Sequence, residues 1–184
     1  MTESMTLLSE LLQAEHMVRH DPEFAAGLRA LGFFNSGPIW GFDRVEFSGP
    51  FYEPAPEGAL ALIVPSYRPL PDEGLQDLVA CRATDGRTAT RRGHATVLGE
   101  EWLDFAVASR SRALLHANPL RWMMAARRGV VILDWPSVPF LFDFVPEVLC
   151  PDRAFARRVW AATRCMEQPP HIRHVHKRRL RHAA

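Results

Sequence analysis

Nine of the 22 basic side chains of this 184-residue sequence fall between residues 151 and 184, where only Asp152 and Glu167 oppose them. That segment carries a formal charge of +7 and the remainder −6, so a near-neutral total hides a basic module on a mildly acidic body. Arg153, Arg157 and Arg164 are spaced by four and seven positions, which on a helix places them along one face, with Arg158 beside them. Arg173, Lys177, Arg178, Arg179 and Arg181 carry the charge on through the terminal stretch "HIRHVHKRRLRHAA". A guanidinium presents a planar fork that matches phosphate oxygens, and several such groups on a nucleic acid displace its condensed counterions. These nine residues are therefore the expected DNA or RNA contacts. A solvated helix face with a loose end produces the same pattern, and the use of a single lysine, Lys177, also follows from GC-rich codon usage. The four histidines of the stretch supply metal-ligand atoms, but a closed zinc site wants about four ligands and the adjacent cations oppose a further positive ion. No metal is expected there; the imidazoles would instead add charge below about pH 6.5.

A second chemistry would need converging carboxylates. Asp134 follows the apolar run "GVVIL", at the carboxyl end of a buried strand, where ligands gather in open α/β sheets. An Asp followed by Pro136 and Ser137 also suits a turn. Three antiparallel strands, then helix, strand, helix and strand, would match a ribonuclease-H-like sheet, whose hydrolysis needs acids that hold two metal ions about 4 Å apart. The first long apolar strand, "ALALIVPSY", has no acid, so Asp77, Glu101 and Asp134 are the candidate catalytic set for a metal-dependent nuclease. Cys81 and His94 face each other across a hairpin as a formal nucleophile and base pair. A nucleophile elbow, a phosphate loop, a dinucleotide fingerprint and a zinc-protease motif are all missing. No cofactor is implied and no catalytic activity is assigned. The third alternative is a non-catalytic protein-interaction module that meets a partner through Trp40, Phe51, Tyr52 and Phe140.

These residues need elements to position them. Leu7, Leu8, Leu11 and Leu12 predict an amphipathic helix over 5–19; Asp21 and Pro22 start a second, with Phe24, Leu28 and Leu31 as its stripe. "WGFDRVEF", "GALALIVPSY", "LQDLVACRA" and "TATRRGHATVLG" read as strands of an antiparallel meander, the last two joined at Asp85-Gly86. Arg91, Arg92 and His94 then lie on one hairpin arm. "GEEWLDFAVASR" predicts a helix with Trp102, Phe105 and Val107 inward, and "RALLHA" a strand. Asn118-Pro119 opens a helix, "GVVILDW" is a buried strand, Ser137 to Phe144 a proline-broken helix, and "EVLC" a strand. Asp152 caps the final helix, whose Phe155, Val159 and Ala162 can face the core.

The expected fold is α/β or α+β: a helical hairpin at 1–35 on a mixed α/β domain at 36–168, with a flexible basic tail at 169–184. Three widely spaced cysteines without a CxxC pair fit a reducing cytoplasm. The start lacks the features of a secretory signal, and no stretch reaches the roughly 18 apolar residues of a bilayer span, so no membrane contact is expected.

Taken together, "QDLVACRATDG", "TRRGHATVLG" and "NPLRWMMAARRGVVILDW" resemble a pattern in small uncharacterised proteins of prophage-like or other mobile regions of alphaproteobacteria, over roughly Leu60 to Trp160. Cys81 stands where that pattern has tryptophan. The resemblance implies a phage-related accessory protein and carries over no catalytic residue.

Overall fold

A computed structural model of the chain describes residues 3–30, 39–67 and 74–175. The capping signals place its helices. Helix α1 (Glu3–His20) gives way at Asp21 to α2 (Pro22–Ala30), with proline in the first helical position, where its missing N–H costs nothing. One face of α1 buries Leu7, Leu11 and Ala14, while Leu8 and Leu12 stay exposed. Leu28 of α2 is buried; the Phe24 side chain and Leu31 lie outside the described residues.

The meander forms as expected and then closes. Strands β1 (Gly41–Ser48), β2 (Phe51–Pro54), β3 (Ala59–Tyr67), β4 (Leu75–Arg82) and β5 (Thr88–Thr90) make a barrel in the order β1-β2-β5-β4-β3, with β3 pairing back onto β1. A single parallel pair, Phe51 with Thr90, completes the ring. Strand alternation sends Val45, Ala61, Ile63, Leu78 and Ala80 towards α1, and Phe42, Leu62, Val64, Val79 and Cys81 towards a second apolar cluster. Burial on both faces explains why β3 and β4 read as continuous apolar runs.

The predicted strand "TATRRGHATVLG" does not run through. It breaks after Thr90, and its far end pairs elsewhere as β6 (Val97–Leu98). Arg91 forms an ion pair with Glu10 of α1 at 3.0 Å, Gly93 takes φ +78°, and His94 is exposed, so these residues do not line one hairpin arm.

A second unit follows: α3 (Glu101–Ala108), β7 (Arg112–Leu114), α4 (Pro119–Met124), β8 (Val131–Ile132), α5 (Val138–Leu141), β9 (Glu147–Cys150), α6 (Arg153–Thr163) and β10 (His171–His174). Strands β10, β9 and β7 form a parallel sheet, β6 pairs antiparallel with β8, and a Leu115–Val130 bridge joins the two. The class is therefore mixed α+β, with the meander and the later helices and strands in separate sheets. This differs from the ribonuclease-H-like arrangement, in which all the strands share one sheet. His171–His174, expected as the start of a flexible tail, is a strand on the edge of the parallel sheet; residues 176–184 lie outside the described residues. No helix among the described residues is long and apolar enough to cross a membrane.

On α3 the buried residues are Leu103 and Ala106, three apart on one face, so Phe105 and Val107 point out rather than in. Asn118 caps α4 by accepting from the Arg121 N–H at 3.0 Å, and Asp152 caps α6 by accepting from the Phe155 N–H at 2.8 Å.

Two expectations follow. A Cβ on Gly41 would sit 2.1 Å from the Ala14 carbonyl carbon and oxygen, backbone atoms that yield only if α1 moves off the barrel. Gly41→Ala should therefore lower the unfolding free energy by about 2–3 kcal/mol in urea titrations, whereas Gly49→Ala, with open space around it, tests backbone strain alone. The His116 Nε2 donates to the Arg128 carbonyl at 2.7 Å, and burial holds its pKa below the ordinary 6.5. The folded state thus resists protonation there, and stability present above about pH 6.5 is lost as pH falls towards the depressed folded value. Stability measured between pH 7.5 and 5.5 should fall more for the native chain than for His116→Gln, which keeps a donor but does not titrate.

Candidate nucleic-acid interface

Helix α6 is fixed by its apolar face. Ala156, Val159 and Thr163 are buried, and the Thr163 hydroxyl donates to the Val159 carbonyl at 3.0 Å. At 100° per residue, Arg153, Arg157 and Arg164, all exposed, then fall on one stripe, within about 40° of arc and about 17 Å of axis. Trp160 stands in the same stripe between Arg157 and Arg164 and is 64% exposed. Sequence reasoning named the arginines and missed this indole, although its position, three after Arg157 and four before Arg164, was the available signal. The first turn of α6 carries no acidic residue.

Arg158 is placed differently. It lies 100° round the helix from Arg157, and its guanidinium carbon sits 3.7 Å from the centre of the Trp135 ring. Trp135 in turn meets Phe155 edge to face, with centroids 5.3 Å apart. Arg158 and Trp135 border a cleft of about 470 Å³ on the barrel side of the helix, away from the stripe.

Nor does the stripe join β10. Ala113, Val148 and Cys150, with Ile172 against them, share a core with Ala156 and Val159, so α6 covers that face of the parallel sheet. Side chains alternate along strands, so Arg112, Glu147, His171 and Arg173 occupy the opposite face. There Glu147 lies 3.5 Å from Arg173 Nε and 3.8 Å from His171 Nδ1. Among the described residues the charges of the stripe and of β10 are thus separated by the sheet, and part of the charge on β10 is compensated. Lys177, Arg178, Arg179 and Arg181 fall outside the described residues.

The three candidate catalytic acids stand in three surroundings. Asp77 is fully buried on β4, and its carboxylate accepts from the backbone N–H groups of Leu78, Arg92, His94 and Ala95 at 2.7–3.1 Å. Glu101 opens α3 beside Glu100, whose pKa is raised by burial and then by Asp104 and Glu101. Asp134 accepts from the Ser137 hydroxyl, and its N–H donates to Thr96 at 3.0 Å, which makes it the turn residue between β8 and α5. Among the described residues no group of three or more His, Cys, Asp or Glu is placed to hold a metal ion. The structure therefore does not assemble the site that a two-metal nuclease needs. Cys81 is buried, its thiol 3.6 Å from the Gly86 carbonyl and pushed up to about 11 by burial, while His94 is exposed; they form no nucleophile pair. Of the four aromatics expected to be exposed, Trp40 and Tyr52 are buried, Phe51 is half-exposed and Phe140 is exposed.

Comparison of the chain with family models, with curated proteins and with solved structures returns no match. The class is accordingly the one that the geometry defines: an α+β protein with a five-stranded barrel and an arginine-tryptophan helix on a separate parallel sheet.

Asp77 gives a structural expectation. Asp77→Ala leaves the loop donors of Arg92, His94 and Ala95 without this acceptor and should cost about 3–5 kcal/mol in urea unfolding. Asp77→Asn, retaining one acceptor oxygen, should cost less.

Proposed function

We propose that this chain contacts nucleic acid through the exposed stripe of α6, without catalysis, and that its target is single-stranded. One observation carries the reading: an indole 64% exposed in the middle of three arginines on one helical face. Charge alone would suit any polyanion. A flat aromatic surface among cations adds a platform on which an unpaired base can stack, while the flanking guanidinium groups take the phosphates. Bases in a duplex are already stacked on each other and offer no free face to such a platform. The terminal cations Lys177, Arg178, Arg179 and Arg181 would add sequence-independent attraction. The phage-related setting rests on the sequence resemblance over Leu60 to Trp160, and a cytoplasmic location on cysteine usage.

The experiment is fluorescence anisotropy with labelled single-stranded DNA, single-stranded RNA and duplex DNA at two salt concentrations. The truncation should remove residues 176–184 and spare β10, because deleting from His171 would strip a strand from the sheet. Trp160→Ala should weaken single-strand binding by about 1–3 kcal/mol. In the truncated chain the slope of log affinity against log salt should be close to −2 for three phosphate contacts on a single strand, and each arginine-to-alanine change should reduce it by about 0.7. Absence of binding at low salt, or affinity indifferent to Trp160 and to the three arginines, would refute the proposal.

A further inference from the structure

Among the described residues, the most exposed aromatic side chains lie on another surface. Phe140 on α5 and Phe144 just beyond it are 83% and 79% exposed. The turn that presents them is anchored by Phe142 and Val145, both buried, so the chain is held down on either side of Phe144 while its ring stays in solvent. Phe144 also has φ +64°, and Arg110, which lines the same groove, has φ +50°. The left-handed region costs a side chain with a Cβ about 1 kcal/mol or more, a cost borne readily only by glycine. Two residues thus hold unfavourable backbone conformations beside aromatic side chains left exposed among the described residues. Both line an open groove of about 1040 Å³, together with Met166.

Its lining has mixed charge: Arg110 together with Asp143 and Glu167. None of the three has an ion-pair partner among the described residues. A polyanion would want cations alone on such a rim, and a purely apolar ligand would leave all three charges unanswered. A two-fold axis answers them, because an isologous interface pairs residue i with j and j with i. We infer that this groove is a self-association surface: Phe140 and Phe144 of one copy enter the groove of a second, with Arg110 of each facing Asp143 and Glu167 of the other. The groove is lined by 12 residues, against about 20–30 a side in a standard stable interface. The dimer is therefore small and reversible, in a concentration-dependent equilibrium rather than an obligate pair. This inference stands independently of the nucleic-acid reading.

The test is sedimentation velocity of the full chain without nucleic acid from about 1 to 300 μM, a range that brackets the weak dissociation constants expected of an interface this small. A monomer–dimer equilibrium is expected. Phe140→Asp with Phe144→Asp should leave a monomer throughout, with far-UV circular dichroism unchanged because both side chains are exposed. Phe144→Gly separates the surface from the fold: glycine accepts the positive φ, so thermal stability should hold or rise while self-association weakens at least several-fold. Arg110→Glu and Asp143→Arg should each weaken the homodimer, and mixing the two variants should restore pairing through the matched rims. A native chain that stays monomeric at the highest concentration, which would leave the groove to a different protein, overturns the inference. So does a dimer that survives the double aspartate variant.

Discussion

The Asp77 carboxylate, enclosed in the barrel wall, accepts hydrogen bonds from Arg92, His94 and Ala95, residues that lie 15 to 18 positions later in the chain. Those three donors sit where the fifth strand would otherwise continue. Their capture by a side chain releases the backbone from the ladder at Thr90, while Gln76 on the same strand holds the His94 carbonyl at 3.0 Å. The chain can then leave the barrel and enter the second unit through β6. An N–H removed from water and left unpaired costs up to a few kcal/mol, so without this carboxylate the excursion would be unfavourable at Arg92, His94 and Ala95. Barrel closure and the start of the second unit therefore depend on one buried side chain. Asp77 was noticed in the sequence as a possible metal ligand; its oxygens are instead committed to the backbone.

What was legible in the sequence was local. Asp21-Pro22, Asn118-Pro119 and Asp152 each announce a helix start through chemistry within three residues, and each helix begins there. The apolar runs that became β3 and β4 carry their burial in their composition. What was not legible depended on distance. The break after Thr90 is set by a side chain on another strand. Closure of the barrel rests on one pair, Phe51 with Thr90, in a short strand, β2, that has no alternation long enough to detect. The inward face of α3 was misread because Trp102 and Phe105 are its largest apolar residues, whereas Leu103 and Ala106 are the buried ones and Trp102 packs only in part. Size suggested burial, and the exposed phenylalanine became part of the surface.

The candidate interface was half legible for a similar reason. Helical spacing alone gathers Arg153, Arg157 and Arg164, because that periodicity is intrinsic to the backbone. It also predicts Arg158 to one side, where stacking on Trp135 holds it. The periodicity does not reveal which face of the neighbouring sheet the helix covers. That depends on Val148 and Cys150 meeting Ala156 and Val159, and it alone decides that Arg173 points away from the stripe. A charge count along the chain joined these groups into one module; the thickness of a sheet divides them.

The stripe is presented by a rigid support. The Asp152 cap at one end, the Thr163 hydroxyl near the other, and the Phe155, Trp135 and Arg158 stack on the flank all restrain α6 before any ligand arrives. The proposed binding would order long arginine side chains but not their backbone, which would limit the entropy lost. The two surfaces are also close in the chain: Arg164 ends the stripe and Met166 lines the groove. Pairing through the groove would hold two stripes at a fixed separation, and a strand long enough to reach both would meet the second at a high effective concentration. Three arginines and one indole are a modest anchor by themselves. Their duplication by a weak dimer would strengthen attachment without any new contact, and would make it depend on protein concentration as well as on salt.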